Sequence, residues 1–364
     1  MTSRHSGEWI ISLLGASTLR GKEVKAVLEE RHLPLRRLQL VDTEAVQGQL
    51  TEFEDEPAIL QPVTTETFQE TDLAIFAADP SFTSQHWRQA QESGCRIIDM
   101  SYFLDSESQA CRRAPLIEPL WEAEANDNGL REVPGGIVVS AHPMSIALAG
   151  ILKSLSRRTK VVRAAATLFE PASEHGQVGV EELHQQTIGL LSFQEIPKKV
   201  FDAQLSFNLL TRNGEQSQPT LQQGQERISN HLAGLLRGSA APPALRLLQA
   251  PVFHGYAFSW WMELAEPLEP AEMETVLDRE PFSVCRMPGD QPNVVSAVSS
   301  DKILLGAIKR DSANDAGYWI WGAFDNLRIA ALNAVRIAEE MMELPSSSAS
   351  AQSRQAETAP WLRP

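Results

Sequence analysis

The sequence predicts an α/β protein built on a parallel, doubly wound sheet, followed by a second domain of α+β character on an antiparallel sheet. Three observations carry this. Short apolar runs bounded by turn residues recur over roughly the first 140 positions, as strands buried on both faces do. Helical patterns separate those runs, which is the rhythm of right-handed parallel crossovers. From Lys160 onward the strand-like runs are longer and alternate instead, the pattern of a sheet with one open face.

The stretch Trp9 to His32, WIISLLGASTLRGKEVKAVLEERH, organises the first half. Trp9 to Leu14 reads as a buried strand, Gly15 to Gly21 as a turn, and Val24, Val27 and Leu28 as one face of an amphipathic helix. Strand, glycine-bracketed turn and helix are the first half of a Rossmann-type βαβ unit, whose backbone N–H groups can receive a pyrophosphate. The candidate cofactor-binding positions in the turn are Gly15, Ser17, Thr18, Leu19 and Gly21. Thr18 stands where the middle glycine of such a turn belongs, and its Cβ restricts close backbone approach. Leu38 to Asp42 is a second strand ending in an acid. Asp42, 27 residues after Gly15, is either the acid that holds an adenosine ribose or a turn and cap aspartate before Thr43.

Thr71 to Ala78 reads as the next strand, broken by Asp79-Pro80-Ser81 before a helix from Ser84 to Glu92. Arg96 to Ser101 is a fourth strand and Gly136 to Ser140 a fifth, leading through AHPMS into a helix from Ile146 to Leu155. In the middle, Lys160 to Phe169 and Pro251 to Leu264 read as strands, with Val180 to Leu191 helical and further strand material from Ser296 to Ile308. Trp319 to Met342 reads as strand, turn and helix, with Leu327, Ala331, Leu332, Val335 and Ala338 on one helix face. The expected division is a disordered start at 1–8, a Rossmann-type domain at 9–140 and an α+β domain at 141–317. A strand and helix at 318–344 would complete the first domain, and 345–364, rich in Ser, Ala and Gln, would be a disordered tail.

Composition narrows the partners. A net charge of −15 over 364 residues argues against nucleic acid and anionic membranes. No signal peptide or membrane-length apolar run is evident, so a cytoplasmic protein is expected. Three widely spaced cysteines, Cys95, Cys111 and Cys285, suggest neither a disulfide framework nor a metal site. Cys95, just before a strand, reads as a small buried residue, and the other two fall in expected loops.

The order of motifs resembles aspartate-semialdehyde dehydrogenase, with its N-acetylglutamyl-phosphate reductase relatives, over about Trp9 to Met342. The stretches GASTLRGKEVKAVLEER, APLIEP, SAHPMS, EHGQVGVEELHQQT, PVFHGY and DNLRIAALNAVRIAE carry the likeness. The resemblance implies a Rossmann domain, a dimerisation domain, a homodimer and a place near amino-acid biosynthesis. It also implies a cysteine nucleophile in a loop like N-P-N-C-S, where this chain has Met144. A thioether cannot form the thioester that reaction needs. The family's acid/base histidine, in a strand like V-F-R-G-H, falls on Tyr256, and its arginine there on His254. The glutamine beside the nucleophile falls on Glu170. A further substrate arginine falls near Leu104, and a glutamate–lysine pair on Glu226 and Ser229. Ala78, in Ala77-Ala78-Asp79-Pro80-Ser81, stands in the family's glycine-rich loop, and Asn326 in its D-N-L-R motif. Asp42 and Glu44 would repel a 2′-phosphate, so NAD, bound weakly, is expected rather than NADP, and no metal.

The expectation is therefore a homologue without an intact catalytic set, acting as a ligand- or protein-binding homodimer. Two alternatives stand beside it. One is an NAD(P)-dependent oxidoreductase of altered, non-thioester chemistry, with Tyr256 and either His142 or His254 assisting direct hydride transfer. The other is a regulatory subunit pairing with an active paralogue through the middle domain.

Overall fold

In a computed structural model, which describes residues 9–120 and 136–343, the chain folds around two sheets. The expected disordered ends at 1–8 and 345–364 lie outside the described residues. The first part of the chain runs β1 (Trp9–Leu14), α1 (Leu19–Arg31), β2 (Leu35–Asp42), β3 (Leu50–Phe53), β4 (Glu56–Ile59), β5 (Gln61–Pro62), β6 (Leu73–Phe76), α2 (Pro80–Glu92), β7 (Arg96–Asp99), β8 (Ala110–Arg113), β9 (Ile137–Ser140) and α3 (Pro143–Ser156). Its seven-stranded sheet has the order β5-β2-β1-β6-β7-β9-β8. Every pairing in it is parallel. The central strands need no polar face, since Ile11, Leu13, Leu73, Ile75 and Ile98 are all fully buried.

The remainder runs β10 (Val161–Glu170), α4 (Gly176–Leu191), α5 (Leu221–Leu236), β11 (Ala244–Gln249), β12 (Tyr256–Leu264), α6 (Pro270–Leu277), β13 (Phe282–Val284), α7 (Val294–Ala297), β14 (Ile303–Arg310), β15 (Gly317–Phe324) and α8 (Asn326–Glu343). Its six-stranded sheet has the order β11-β10-β12-β15-β14-β13. The sheet is mixed rather than antiparallel, because β11 runs parallel to β10 and β13 parallel to β14.

Several boundaries differ from expectation for local reasons. Helix α2 starts at Pro80, not Ser84: Asp79 caps it by accepting from Phe82 N, and proline at the first helical position loses no bond. Helix α3 likewise begins at Pro143, capped by His142. Ser296 lies in the short helix α7 instead of a strand. Cys111 is on the edge strand β8 rather than in a loop. Strand β12 begins only at Tyr256; Val252 and Phe253 precede it, and their carbonyls accept from Ala172 N and Ser173 N.

The largest difference concerns β15. Expected to complete the first sheet, it lies between β12 and β14 in the second, and only α8 returns to the first domain. There α8 packs on α1, β7 and β9. Arg328 pins that return, bonding Glu23 and Glu30 of α1 and Asp301 near the start of β14. Among the described residues no helix is long and apolar enough to cross a membrane.

The two faces of the mixed sheet differ. Tyr256, Phe258, Trp260 and Met262 alternate inward and are fully buried with α3, α5 and α6. Trp261, Trp319 and Trp321 point to the other face, where Asp311 accepts from the indoles of Trp261 (2.7 Å) and Trp319 (3.2 Å). Trp319 remains 39% exposed there.

Candidate functional site

The glycine turn after β1 is held tightly. A Cβ on Gly15 would lie 2.6 Å from Ala78 N, and one on Gly21 would lie 2.0 Å from Gly15 O. Gly21 is thus a close-approach glycine within the first turn of α1. Thr18 is the helix cap: its Oγ1 donates to Gly15 O at 2.8 Å and accepts from Gly21 N at 2.9 Å. The hydroxyl takes the place of a bare backbone turn. Asp42 is buried at the end of β2, with one oxygen accepting from Ser17 N at 2.7 Å and the other from Thr43 N at 2.8 Å. Its carboxylate therefore stands beside the turn, with one backbone N–H of the turn already engaged. Ser17 and Leu19 stay half-buried at the mouth of this turn, and Ala78 is buried beneath it. Asp79 caps α2 beside them; burial pushes its carboxyl up, but the Ser81 hydroxyl and Phe82 N–H more than offset this and hold it low.

The second group of predicted residues meets at the carboxyl ends of β7 and β9, against the mixed sheet. Met144 is the second residue of α3 and has no solvent exposure. His142 accepts from Met144 N at its Nδ1 (3.2 Å), so its proton sits on Nε2, 3.8 Å from Glu174 Oε2. The backbone N–H of His142 donates to Nδ1 of His231 at 2.9 Å. His231 in turn donates from Nε2 to Asp105 at 2.8 Å. Burial pulls His231 down to about 4 even beside that carboxylate, leaving it neutral. This buried chain of groups holds the start of α3 in place.

Tyr256 lies next to it, its ring 5.9 Å from that of His142 and stacked on Phe324 at 5.6 Å. Its hydroxyl donates to Glu170 Oε2 at 3.1 Å, and His175 approaches the other Glu170 oxygen at 3.7 Å. Burial, then the charges of Glu170 and Glu174, push the phenol well above its ordinary value. Tyr256 is a held donor, unsuited to serve as a base near neutrality. Asn326, at the start of α8, ties these segments together. Its amide accepts from Gly255 N (3.0 Å) and donates to Ser173 Oγ and Glu174 Oε1 (3.0 Å each).

Not every predicted residue joins this group. His254 is half-buried and, among the described residues, its side chain makes no hydrogen bond or ion pair. Leu104 is apolar core, Glu226 is exposed and bonded along α5 to Gln222, and Ser229 bonds back to Gln225 O. Cys95 is buried and donates to Phe68 O and Thr71 O. No cysteine belongs to the group, and among the described residues no three His, Cys, Asp or Glu side chains could hold a metal.

Other members were not foreseen. Arg20, two residues past the cap, donates to Met100 O at 3.1 Å, pairs with Glu174 at 3.5 Å and lies 5.3 Å over the Tyr102 ring. Arg227 of α5 approaches the same ring at 4.9 Å. Burial pushes the Glu174 carboxyl up, but His142, Arg20 and Asn326 overcome it and hold it down to about 2. Gln249 is fully buried against Glu170 O, with its own Oε1 unmatched among the described residues. One signal for Arg20 was present: a cation in the first turn of a helix opposes the dipole, so it needs a tertiary reason.

Fold and site define a two-domain chain, with a Rossmann-type sheet, a mixed-sheet domain and a buried polar centre between them. The model of the semialdehyde dehydrogenase NAD-binding domain matches residues 10–129, and that of the semialdehyde dehydrogenase dimerisation domain matches residues 152–329. The chain belongs to the semialdehyde dehydrogenase family. It is 29% identical over 341 residues to a USG-1 protein homolog of Pseudomonas aeruginosa, covering 92% of this chain and 97% of that one. It is 26% identical over 337 residues to an aspartate-semialdehyde dehydrogenase of Rickettsia conorii, covering 91% and 97%. The solved structure of a probable aspartate-semialdehyde dehydrogenase from Pseudomonas aeruginosa superimposes with a TM-score of 0.82 at 28% identity, covering 92% of this chain and 99% of that one.

Proposed function

We propose that this member of the family has lost the phosphorylating dehydrogenase reaction and acts as a ligand- or protein-binding homodimer. The observation that carries the reading is the state of two side chains. A buried thioether, Met144, stands at the start of α3, and the Tyr256 hydroxyl is committed to Glu170. A thioether has no proton to lose and cannot take up an acyl group as a thioester. A direct hydride transfer assisted by Tyr256 with His142 or His254 has less support. His142 spends its Nδ1 on the helix cap, and Tyr256 spends its proton on Glu170.

The dimer has its support in the outer face of the mixed sheet, where α7 packs over the end at Trp321 and leaves Trp261 and Trp319 as aromatic surface partly open to water. Weak NAD binding in preference to NADP has its support in Asp42, whose charge beside the turn opposes a 2′-phosphate; tighter NADP than NAD in a calorimetric titration would contradict it. The decisive assay mixes purified protein with aspartate semialdehyde, phosphate and NAD or NADP. No reduced cofactor should form, and Met144→Cys alone should not restore turnover, since Tyr256 and Glu170 remain. Measurable reduction by the wild-type chain would end this reading.

A further inference from the structure

We propose that Arg20 is a specificity-determining residue that closes the distal half of the nucleotide crevice, so that the chain takes an adenosine nucleotide lacking nicotinamide in preference to NAD. The inference rests on reading the β1–α1 turn as a nucleotide site. In a doubly wound sheet a dinucleotide lies across the carboxyl ends of the strands, one half on each side of the first strand. Here Asp42 marks the β2 side. The distal half would have to lie over the ends of β6 and β7, towards Met144.

That distal space is bridged by this chain's own arginine. Arg20 leaves the start of α1, beside β1, and its guanidinium donates to Met100 O just past the end of β7. The strand order places β6 between those two points, so the side chain crosses over its end. The far end of the bridge is fixed from the second domain. Glu174 pairs with the guanidinium at 3.5 Å and is itself held by Asn326 at 3.0 Å, with His142 at 3.8 Å. The ring of Tyr102 lies against the same guanidinium. Only 20% of the Arg20 side chain and 12% of that of Glu174 reach solvent. A nicotinamide ring entering here must break this pair and leave a buried carboxylate without its cation, which is strongly unfavourable. The β2 side carries no such plug. Ser17 and Leu19 are half-buried, and Asp42 is anchored through Ser17 N.

ADP-ribose is NAD with the cationic nicotinamide ring replaced by a hydroxyl, so titrating both calorimetrically into the full-length chain isolates the place of that ring. The wild-type protein should bind ADP-ribose at least about tenfold more tightly than NAD. Arg20→Ala should bring the two within about threefold by strengthening NAD, and Arg20→Lys, which keeps a cation but not the fork, should fall between. Circular dichroism and melting of each variant establish that it folds. If a variant does not fold, the wild-type ratio decides alone. Equal affinities for the two ligands on the wild-type chain, or a ratio that Arg20→Ala leaves unchanged, overturns the gate while the nucleotide reading of the turn stands. Binding of neither ligand to either protein overturns both.

Discussion

Strand β12 carries two regions of opposite character on its two faces. Inward, Tyr256, Phe258, Trp260 and Met262 are sealed against helices. Around Tyr256 a buried network of Glu170, Glu174, His142, Arg20 and Asn326 accounts for its own polar groups. Outward, Trp261 and Trp319 keep aromatic surface in water and anchor their indoles on a single carboxylate, Asp311, while Trp321 donates to Pro292 O. The difference teaches where the chain leaves surface to spare. The buried centre is closed over by segments of one chain, whereas the outer face keeps aromatic area open to water.

The sharpest break of that comparison is a pair of adjacent substitutions. Trp260→Glu buries an unpaired charge in the fully enclosed core and should cost more than about 4 kcal/mol, enough to abolish folding. Trp261→Glu should leave the fold intact and change the assembly instead. Light scattering should give a mass near twice the 40.2 kDa of one chain for the wild type and near that single mass for Trp261→Glu. A wild-type mass of one chain, or two variants that behave alike, would defeat the contrast.

Acid should test the inner network next. His231 titrates near 4 in the fold against an ordinary value of 6.5, so the unfolded chain binds its proton first. Stability from this group is present above about pH 6.5 and is lost as pH falls towards 4, on the order of 3 kcal/mol in all. Glu174, held near 2, adds a loss of the same sign below about pH 4.5. Denaturant melts at stepped pH should show the first slope in the wild type and a flattened one in His231→Gln; an unchanged slope would remove His231 from the account. A smaller effect is expected from Tyr256→Phe. It removes the hydroxyl that donates to Glu170 Oε2 and should cost about 1–3 kcal/mol, with the oligomeric mass unchanged. A shift in the dimer mass instead would mean that the two faces are coupled.

The amino-acid sequence by itself determined the parallel sheet, the glycine turn, a helix following AHPMS, though not its start at Pro143, and the opposite facing of Trp260 and Trp261. All of these rest on local periodicity and on capping within a few residues. It also identified Met144 and Tyr256 as the centre of interest, and the structure brings their neighbourhoods together. Tertiary structure alone decided the rest. The sequence around β15 reads as a strand in either sheet, and pairing with β12 and β14 was settled by partners far along the chain. His142 looked like an ionisable group awaiting a task; its Nδ1 is spent on capping α3 and its proton faces Glu174. Arg20 fell inside the expected turn without a role of its own, and only the approach of Met100, Tyr102 and Glu174 from other segments gives it one. Periodicity tells which face a residue takes, but a long side chain's partners come from whatever the fold carries into reach.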